Sequence, residues 1–374
     1  MTKYLILLML CVAFDAFADD FPYAWSISSG FRGSAHIAYI SPPKEQQRIA
    51  LKSTSTSESA KYILDNLFTT NKTKALLAAK GSDIFYERFS FGVSRRSTPL
   101  GYSISKSLVA LAVGRAVCDG HIASIKEPIR MYVPALAGTS WGESSIRDVL
   151  RMSSGAYTTE MYLNGWKDLP MADEIDTVYG GRMTGDFIEI MRRADNHRYP
   201  AGEVFNYSNL DTVALSLVVE GATRRSFPEF FEQTVWVDAG ATSRGGWIIN
   251  GLKQTSAFQG FSATPHDWIR LGVMVLRELK RKDTCYGQFL KEATSKQIPA
   301  STHAAGYGYQ IWHNCALDVD FCFIGYGGQF LLFNVEEEIV VYHHGATSSL
   351  NVWNTPYMMS GLVDAVKAAS IKTN

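Results

Sequence analysis

The feature that most constrains the fold is an apolar stretch that carries a serine and a lysine at its head. From Ser103 to Cys118 the chain is almost wholly apolar after its first turn, and it closes at Asp119-Gly120. This pattern predicts a helix buried on every side rather than a surface helix with one apolar face. Ser103 and Lys106 stand three residues apart, so a helix places hydroxyl and amine on one face. The chain must therefore fold around a central helix with two polar side chains at its start.

This pair has the chemistry of an activated nucleophile. A lysine in apolar surroundings loses proton affinity and can accept the serine proton, and a helix N-terminus favours developing negative charge. The same spacing recurs at Ser41-Pro-Pro-Lys44, where two prolines exclude a helix. A capping serine with a solvated lysine is the structural alternative for the pair at 103, and the apolar helix disfavours it. We predict Ser103 as the nucleophile.

A second polar group follows about a hundred residues later, at Tyr207-Ser208-Asn209. It lies between a Pro-Gly turn and a predicted helix, which is the kind of fixed loop that a catalytic group needs. A tyrosine beside a lysine can shuttle a proton to a leaving group, and the Asn209 amide can orient the lysine and a substrate carbonyl. Tyr162-Leu163-Asn164 repeats the spacing, and we interpret it as a loop or substrate-contact feature.

The order of predicted elements indicates an α/β (α+β) fold. Residues 74–80 and 84–89 read as a hairpin, residues 120–255 as an inserted all-helical lobe, and the region after 300 as several strands. The first strands would pair with the last in one antiparallel sheet flanked by helices. The predicted late strands are 307–312, 321–324, 329–333 and 339–342, and a helix is predicted from Thr355 to Ile371. Residues 19–60 read as a loosely packed lead-in to one domain spanning 19–374.

Together these motifs resemble the serine β-lactamase-like (penicillin-binding-protein-like) family, in its class C β-lactamase and esterase branch. Further segments agree with that family in order along the chain, and the last two are most similar to its 6-aminohexanoate-dimer-hydrolase-like subgroup. They are Gly120–Pro128, Ser145–Gly155, Gly260–Trp268, Tyr307–Trp312 and Gly325–Gln329. The resemblance implies a β-lactamase/transpeptidase-like fold.

The third motif of that family is where this chain departs from the antibiotic-degrading members. They carry Lys-Thr-Gly or a close variant on the strand beside the site, and neither Lys-Thr-Gly nor Lys-Ser-Gly occurs here. Tyr326-Gly327-Gly328 is the best positional match, and its glycines would let a substrate approach the backbone closely. His343-His344-Gly345 is the alternative, but it leaves too little chain after it. A main-chain N–H near Gly328 or Gln329, with that of Ser103, would form an oxyanion hole.

Two other signatures point elsewhere and are set aside. Residues from Glu160 to Asn164 spell the deacylation motif of class A enzymes, but the Ser-Asp-Asn that should precede it is missing. A Gly-x-Ser-x-Gly elbow, typical of α/β-hydrolases, is also absent from the sequence. We interpret the first as coincidence, although Glu160 and Tyr162 could line a cleft.

The predicted function is a serine hydrolase that cleaves an amide or ester through a Ser103 acyl-enzyme. No metal or organic cofactor is implied, and the partner is a small-molecule or peptide-like substrate. Whether Lys106 or Tyr207 is the base stays open, because their titrations would be coupled. The alternatives are a β-lactamase, a peptidase of D-amino-acid-containing cell-wall peptides, and a catalytically silent binding relative. A β-lactamase and such a peptidase would need a cationic or hydroxyl side chain in the third motif to bind the substrate carboxylate, and Tyr326-Gly-Gly supplies no cation.

The N-terminus predicts export. Lys3, an apolar run from Tyr4 to Phe14 and Ala16-Phe17-Ala18 form a signal peptide over residues 1–18, with a periplasmic or secreted product. The run is too short to span a bilayer. Lys plus Arg number 36 and Asp plus Glu 36, so no charge excess favours nucleic acid or anionic lipid. The sequence leaves the oligomeric state open.

Four cysteines remain after the predicted cleavage: Cys118, Cys285, Cys315 and Cys322. Cys315 and Cys322 flank six residues, as expected across a hairpin, and they are the first pair we expect to be bonded. Four buried free thiols are the alternative. No Cys/His spacing resembles a zinc site, and adjacent His343 and His344 would point to opposite faces of a strand.

Overall fold

A computed structural model describes residues 36–70, 73–156, 185–300 and 305–345, together with residues 361, 363 and 364. The predicted signal peptide, the segment from Glu160 to Asn164 and nearly all of the predicted C-terminal helix lie outside these residues. The helices within them are α1 (Glu58–Thr70), α2 (Ile104–Cys118), α3 (Ser140–Glu143), α4 (Ile146–Leu150), α5 (Phe187–Ala194), α6 (Asn209–Thr223), α7 (Phe227–Phe231), α8 (Pro265–Lys280) and α9 (Cys285–Ala293).

The strands form two sheets. The larger has eight strands in the order β2-β4-β3-β11-β10-β9-β8-β7, and the smaller has the order β1-β5-β6. Their bounds are β1 (His36–Ile40), β2 (Lys52–Ser53), β3 (Thr73–Lys80), β4 (Asp83–Phe89), β5 (Gly245–Ile249), β6 (Phe261–Ser262), β7 (Gly306–Tyr307), β8 (Trp312–Ala316), β9 (Val319–Gly325), β10 (Gln329–Asn334) and β11 (Ile339–Gly345).

The predicted pairing of the first strands with the last is confirmed. Strand β3 lies antiparallel to β11, with Leu77 opposite Tyr342, and β3 and β4 form the predicted hairpin. Short β2 pairs with β4 in parallel, so the sheet is mixed rather than purely antiparallel.

The large sheet is buried on both faces. Alternate residues of a strand point to opposite faces, so Leu77 packs into one core cluster and Leu76 into another. The first cluster contains most of α2, α6 and α8, and the second contains Leu64 and Phe68 of α1. Helix α2 is apolar all round because it packs against α6, α9 and the sheet.

Capping chemistry explains where α8 begins, whereas Ser103 precedes α2 without a side-chain capping hydrogen bond. Ser103 is the N-cap of α2, and Thr264 caps α8 by accepting from the backbone N–H of Asp267, with Pro265 at the first helical position. Helix α7 is followed by one wider helical turn from Glu232 to Trp236.

Two sequence predictions are corrected. Part of the predicted lead-in, β1, pairs along its whole length with β5, and that partner lies about 200 residues away in the predicted helical lobe. Such pairing depends on long-range packing, which local pattern does not report. The predicted strand 307–312 is broken, because Gln310 adopts a left-handed backbone with φ of 56° and Gly308 N donates to Ile311 O at 2.8 Å.

The described residues contain two disulfides. One joins neighbouring strands, and the other joins two helices that are far apart in the sequence. Cys315–Cys322 links β8 to β9, which confirms the expected pair, and Cys118–Cys285 links the end of α2 to the start of α9. Within the described ranges, none of the helices combines the length and the hydropathy that a membrane-spanning segment needs.

Candidate active site

Ser103 lies at the N-terminal end of α2, after a tightly packed approach. Gly101 donates its N–H to Phe261 O at 2.8 Å, and a Cβ at Gly101 would lie 2.6 Å from the Trp268 ring. Tyr102 then takes a left-handed backbone with φ of 48°. Such a conformation costs free energy for a non-glycine residue and persists only where the surroundings enforce it. The chain therefore turns abruptly into the helix at the predicted nucleophile.

Lys106 reaches back to Ser103 as the spacing predicted. Its Nζ lies 2.9 Å from Ser103 Oγ and donates to Phe258 O at 2.9 Å. The side chain is 1% exposed, and burial holds the pKa of the Lys106 amine well below its usual value. A neutral amine keeps a lone pair, so it can accept the serine proton. The carbonyl of Phe258 is a partner that the sequence analysis missed.

Tyr207 lies against the same amine. Lys106 Nζ is 5.0 Å from the centroid of the Tyr207 ring. That ring stacks on Trp312 at 5.5 Å between centroids and meets Tyr307 edge-on at 6.3 Å. The aromatic contacts position the half-buried ring of Tyr207 beside the lysine, so the structure brings together the three residues that the sequence predicted as the catalytic set.

The loop that carries Tyr207 is fixed from both sides. Ser208 caps α6 by accepting from Asp211 N, and Asn206 N donates to Met152 O at 2.7 Å. Asp211 Oδ1 accepts from Trp141 Nε1 and from Ser154 Oγ, each at 2.8 Å. Burial raises the pKa of this carboxyl to about 7. Asn209 is buried as the first residue of α6.

Tyr326-Gly327-Gly328 forms the turn between β9 and β10, at the sheet end beside Ser103. The glycines have φ of 79° and 89°, and Tyr326 is 43% exposed with its ring centroid 5.7 Å from that of Tyr102. The structure therefore places this predicted third motif on a turn rather than within a strand.

Gly325 is a residue of this region that the sequence analysis missed. A Cβ at Gly325 would lie 2.1 Å from Gly101 O, so the last residue of β9 packs directly on the approach to Ser103. Glycine is required there because of this close approach, and the family-like segment Gly325–Gln329 was the sequence signal for it. The contact brings the sheet end within reach of the nucleophile.

His343-His344-Gly345, the alternative third motif, lies behind this turn. Gly328 O accepts from His343 Nδ1 at 2.7 Å and from Gly345 N at 3.0 Å. His343 Nε2 lies 2.9 Å from Thr73 Oγ1, and the His344 ring pairs with the Gln329 side chain. Strand β11 is two strands away from β9, so these residues support the turn from behind.

Burial lowers the pKa of the His343 imidazole to about 4 and that of His344 to about 3. Both rings are therefore neutral at pH 7. Among the described residues, no group of three or more His, Cys, Asp or Glu side chains is placed to hold a metal ion.

A sequence profile of the family described as Beta-lactamase matches residues 75–344. The chain is 27% identical over 216 residues to the 6-aminohexanoate-dimer hydrolase of Paenarthrobacter ureafaciens, a match that covers 54% of this chain. The match spans only about half of that relative, 52% of its length.

Solved structures share the fold. A Bacillus anthracis protein assigned as a 6-aminohexanoate-dimer hydrolase superposes with a TM-score of 0.74 at 18% identity, over 93% of this chain and 95% of that one. A penicillin-binding protein from Bacillus halodurans superposes with a TM-score of 0.60 at 19% identity, over 82% and 99% of the two chains.

Proposed function

The chain belongs to the beta-lactamase family of serine hydrolases, and from this premise we propose that it cleaves an amide or ester bond through an acyl-enzyme on Ser103. The observation that carries the proposal is the buried Lys106 amine, 2.9 Å from Ser103 Oγ. Burial favours the neutral amine, so a proton acceptor is in place beside the hydroxyl that must lose its proton.

The reaction has two steps. Ser103 Oγ attacks the carbonyl carbon while its proton passes to Lys106, or to Tyr207 as a tyrosinate. Tyr207 then protonates the leaving amine or alcohol, and the carbon–nitrogen or carbon–oxygen bond breaks to leave the acyl-enzyme. A water gives its proton to the same pair and attacks that ester. The pair returns a proton to Ser103 Oγ as the bond between this oxygen and the acyl carbon breaks, which releases the acid and restores Ser103. The buried Asn209 would orient the lysine and the substrate carbonyl.

Two backbone N–H groups would stabilise the oxyanion. One belongs to Ser103 at the start of α2. The second would belong to Gly328 or Gln329, on the turn that follows β9, whose last residue Gly325 packs against Gly101 on the approach to Ser103. A preorganised donor of this kind contributes on the order of 3 kcal/mol to transition-state stabilisation.

The substrate that best fits is an uncharged amide or ester, as a small molecule or a short peptide-like chain. The third motif presents Tyr326 and two glycines where antibiotic-degrading members hold a lysine. A substrate carboxylate would therefore find no cationic side chain in this motif. The relative from Paenarthrobacter ureafaciens is named for a dimer of an amino acid, whose link is a linear amide. A β-lactam, a cell-wall-type peptide and no substrate at all are the alternatives.

Export belongs to the same proposal. The leader over residues 1–18 would direct the chain to the periplasm or the exterior. Two disulfides in the described residues support an oxidising compartment, because cytosolic thiols are kept reduced.

The test is a side-by-side assay of purified residues 19–374 with p-nitrophenyl butyrate, nitrocefin and a fluorophosphonate probe. We expect ester turnover and probe labelling that both disappear in Ser103→Ala. Ser41→Ala is the matched control, because Ser41 is the exposed serine of the other Ser-x-x-Lys sequence, and it should keep full activity.

The outcomes separate the alternatives. Nitrocefin turnover that exceeds ester turnover would favour a β-lactamase. Equal labelling of the wild type and Ser103→Ala would exclude Ser103 as the nucleophile, and a wild type that neither labels nor turns over would favour the silent relative.

A further inference from the structure

Gln310 is a buried polar residue that the proposed mechanism does not use. It is 1% exposed and lies between β7 and β8, where the chain leaves the predicted strand. Its left-handed backbone, φ of 56°, is unfavourable for a residue with a side chain. A strained, fully buried glutamine persists where its amide makes bonds that an apolar residue cannot replace.

Those bonds reach the two helices beside Lys106 and Tyr207. The side-chain oxygen of Gln310 accepts from Thr212 Oγ1 at 2.7 Å, on α6, five residues after Tyr207. Its backbone oxygen accepts from Ser107 Oγ at 2.7 Å, on α2, next to Lys106.

The other half of the amide points to α4. Gln310 Nε2 donates to Val149 O and to Leu150 O at 3.2 Å each, and Gln310 N donates to Leu150 O at 2.8 Å. Every strong donor and acceptor of this residue is therefore used, and its position is fixed from three directions.

We propose that Gln310 is a positioning residue that sets the distance between Lys106 and Tyr207. This inference rests on the proposed function, since it concerns the same proton-transfer pair. One residue holds α2 through Ser107 and α6 through Thr212, and Trp312, two residues on, stacks on the Tyr207 ring. A shift of about 1 Å between groups that exchange a proton can reduce turnover by about a hundredfold, so a buried link of this kind has a large effect on rate.

The decisive variant is Thr212→Val, which removes the hydroxyl at nearly constant volume. We expect kcat for p-nitrophenyl butyrate to fall about tenfold while KM stays within about twofold. The Tyr207 ring would shift relative to Lys106, whereas the surface that binds the substrate would be unchanged. Thr212→Ser, which keeps the hydroxyl and loses a methyl group, should restore kcat although it leaves a small cavity.

Two further variants make the test specific. Ser216→Ala removes a buried hydroxyl of the same helix whose hydrogen bond, within the described ranges, goes to Val213 O, and it should leave kcat unchanged. In a Gln310→Met background, Thr212→Val should cause no further loss, because the bond is already gone. Melting temperatures of all variants identify any that fail to fold.

Three results would overturn the inference: wild-type kcat in Thr212→Val, equal losses in Thr212→Val and Thr212→Ser, or additive losses in the double variant. Fluorophosphonate labelling of the wild type but not of Ser103→Ala shows independently whether the proposed function stands. A labelled, active wild type with an unaffected Thr212→Val would therefore refute the positioning role alone.

Discussion

Lys106 lowers the stability of the fold, and the proposed chemistry depends on it. An ammonium is expensive to bury, and this side chain is 1% exposed in an apolar core. Its pKa is lowered by that burial, so the protein keeps it neutral beside Ser103. Sites built for chemistry commonly lower the stability of the fold in this way.

Lys106→Met should abolish ester turnover and raise the free energy of unfolding at pH 7 by about 1 kcal/mol or more. The unfolded chain binds more protons than the folded one between the lowered pKa and the ordinary value of 10.5. Wild-type stability therefore rises with pH across that window, and the variant should lose that slope. Denaturant titrations from pH 6 to 9 measure both effects. Lys291→Met, an exposed helical lysine, is the control, and equal slopes in wild type and Lys106→Met would contradict the prediction.

At the scale of elements, the turn between β9 and β10 depends on β11 behind it. Gly328 O accepts two hydrogen bonds from that strand, one of them from the His343 ring, and Gln329 Nε2 donates to Gly345 O at 3.0 Å. Because Gly328 O is an acceptor, neutral His343 carries its proton on Nδ1 and accepts from Thr73 through Nε2. Protonation of His343 would reverse the contact, with Nε2–H donating to the Thr73 hydroxyl, so the cost of protonation comes mainly from burying the charge.

His343→Gln should reduce the loss of stability in acid. The pKa of His343 is lowered from 6.5 to about 4, so the unfolded state binds more protons as pH falls through that window. The contribution of neutral His343 to the free energy of unfolding is complete above pH 6.5. Between pH 7 and 4 the wild type should lose roughly 2–3 kcal/mol of that free energy through this group. Gln can still donate to Gly328 O and does not titrate. Unfolding free energies at pH 7, 5.5 and 4 measure the difference, and parallel curves for the two proteins would refute the prediction.

At the scale of the whole molecule, the two disulfides constrain the chain very differently. Cys118–Cys285 closes a separation of 167 residues and joins α2 to α9, whereas Cys315–Cys322 closes a separation of 7 within one hairpin. In the chain-entropy account, a cross-link stabilises the fold by restricting the unfolded chain, and the effect grows with the logarithm of loop length.

Replacing Cys118 and Cys285 by alanine should therefore lower the free energy of unfolding by about 5 kcal/mol, against about 2.5 kcal/mol for the Cys315/Cys322 pair. Denaturant unfolding of the two double variants gives the comparison. The Cys118/Cys285 variant should keep ester turnover when folded, because that bond lies at the opposite end of α2 from Ser103. A larger loss from the shorter loop would show that local packing, not chain entropy, sets the contribution.

Features decided by neighbours along the chain could be predicted from sequence alone. The apolar run after Ser103 determined a buried helix, and three-residue spacing determined that Lys106 faces the same side. Thr264-Pro265 is a local signal for the start of α8, and the turn at 81–82 is a local signal for the hairpin of β3 and β4. Family motifs predicted Tyr207 as the third member of the set. Each of these depends on helical periodicity, capping or turn chemistry, which act over a few residues.

Only the tertiary structure decided which distant groups meet. Three contacts join residues separated by about 100 to more than 200 positions. They are the Phe258 carbonyl with Lys106, Gly325 with Gly101, and Gln310 with both α2 and α6. The same holds for β1, whose partner β5 made an apparent lead-in part of a sheet. Such contacts form because burial of apolar surface selects one packing of the whole chain, and the close approach of two backbones or the bonds of one buried amide follow from that packing.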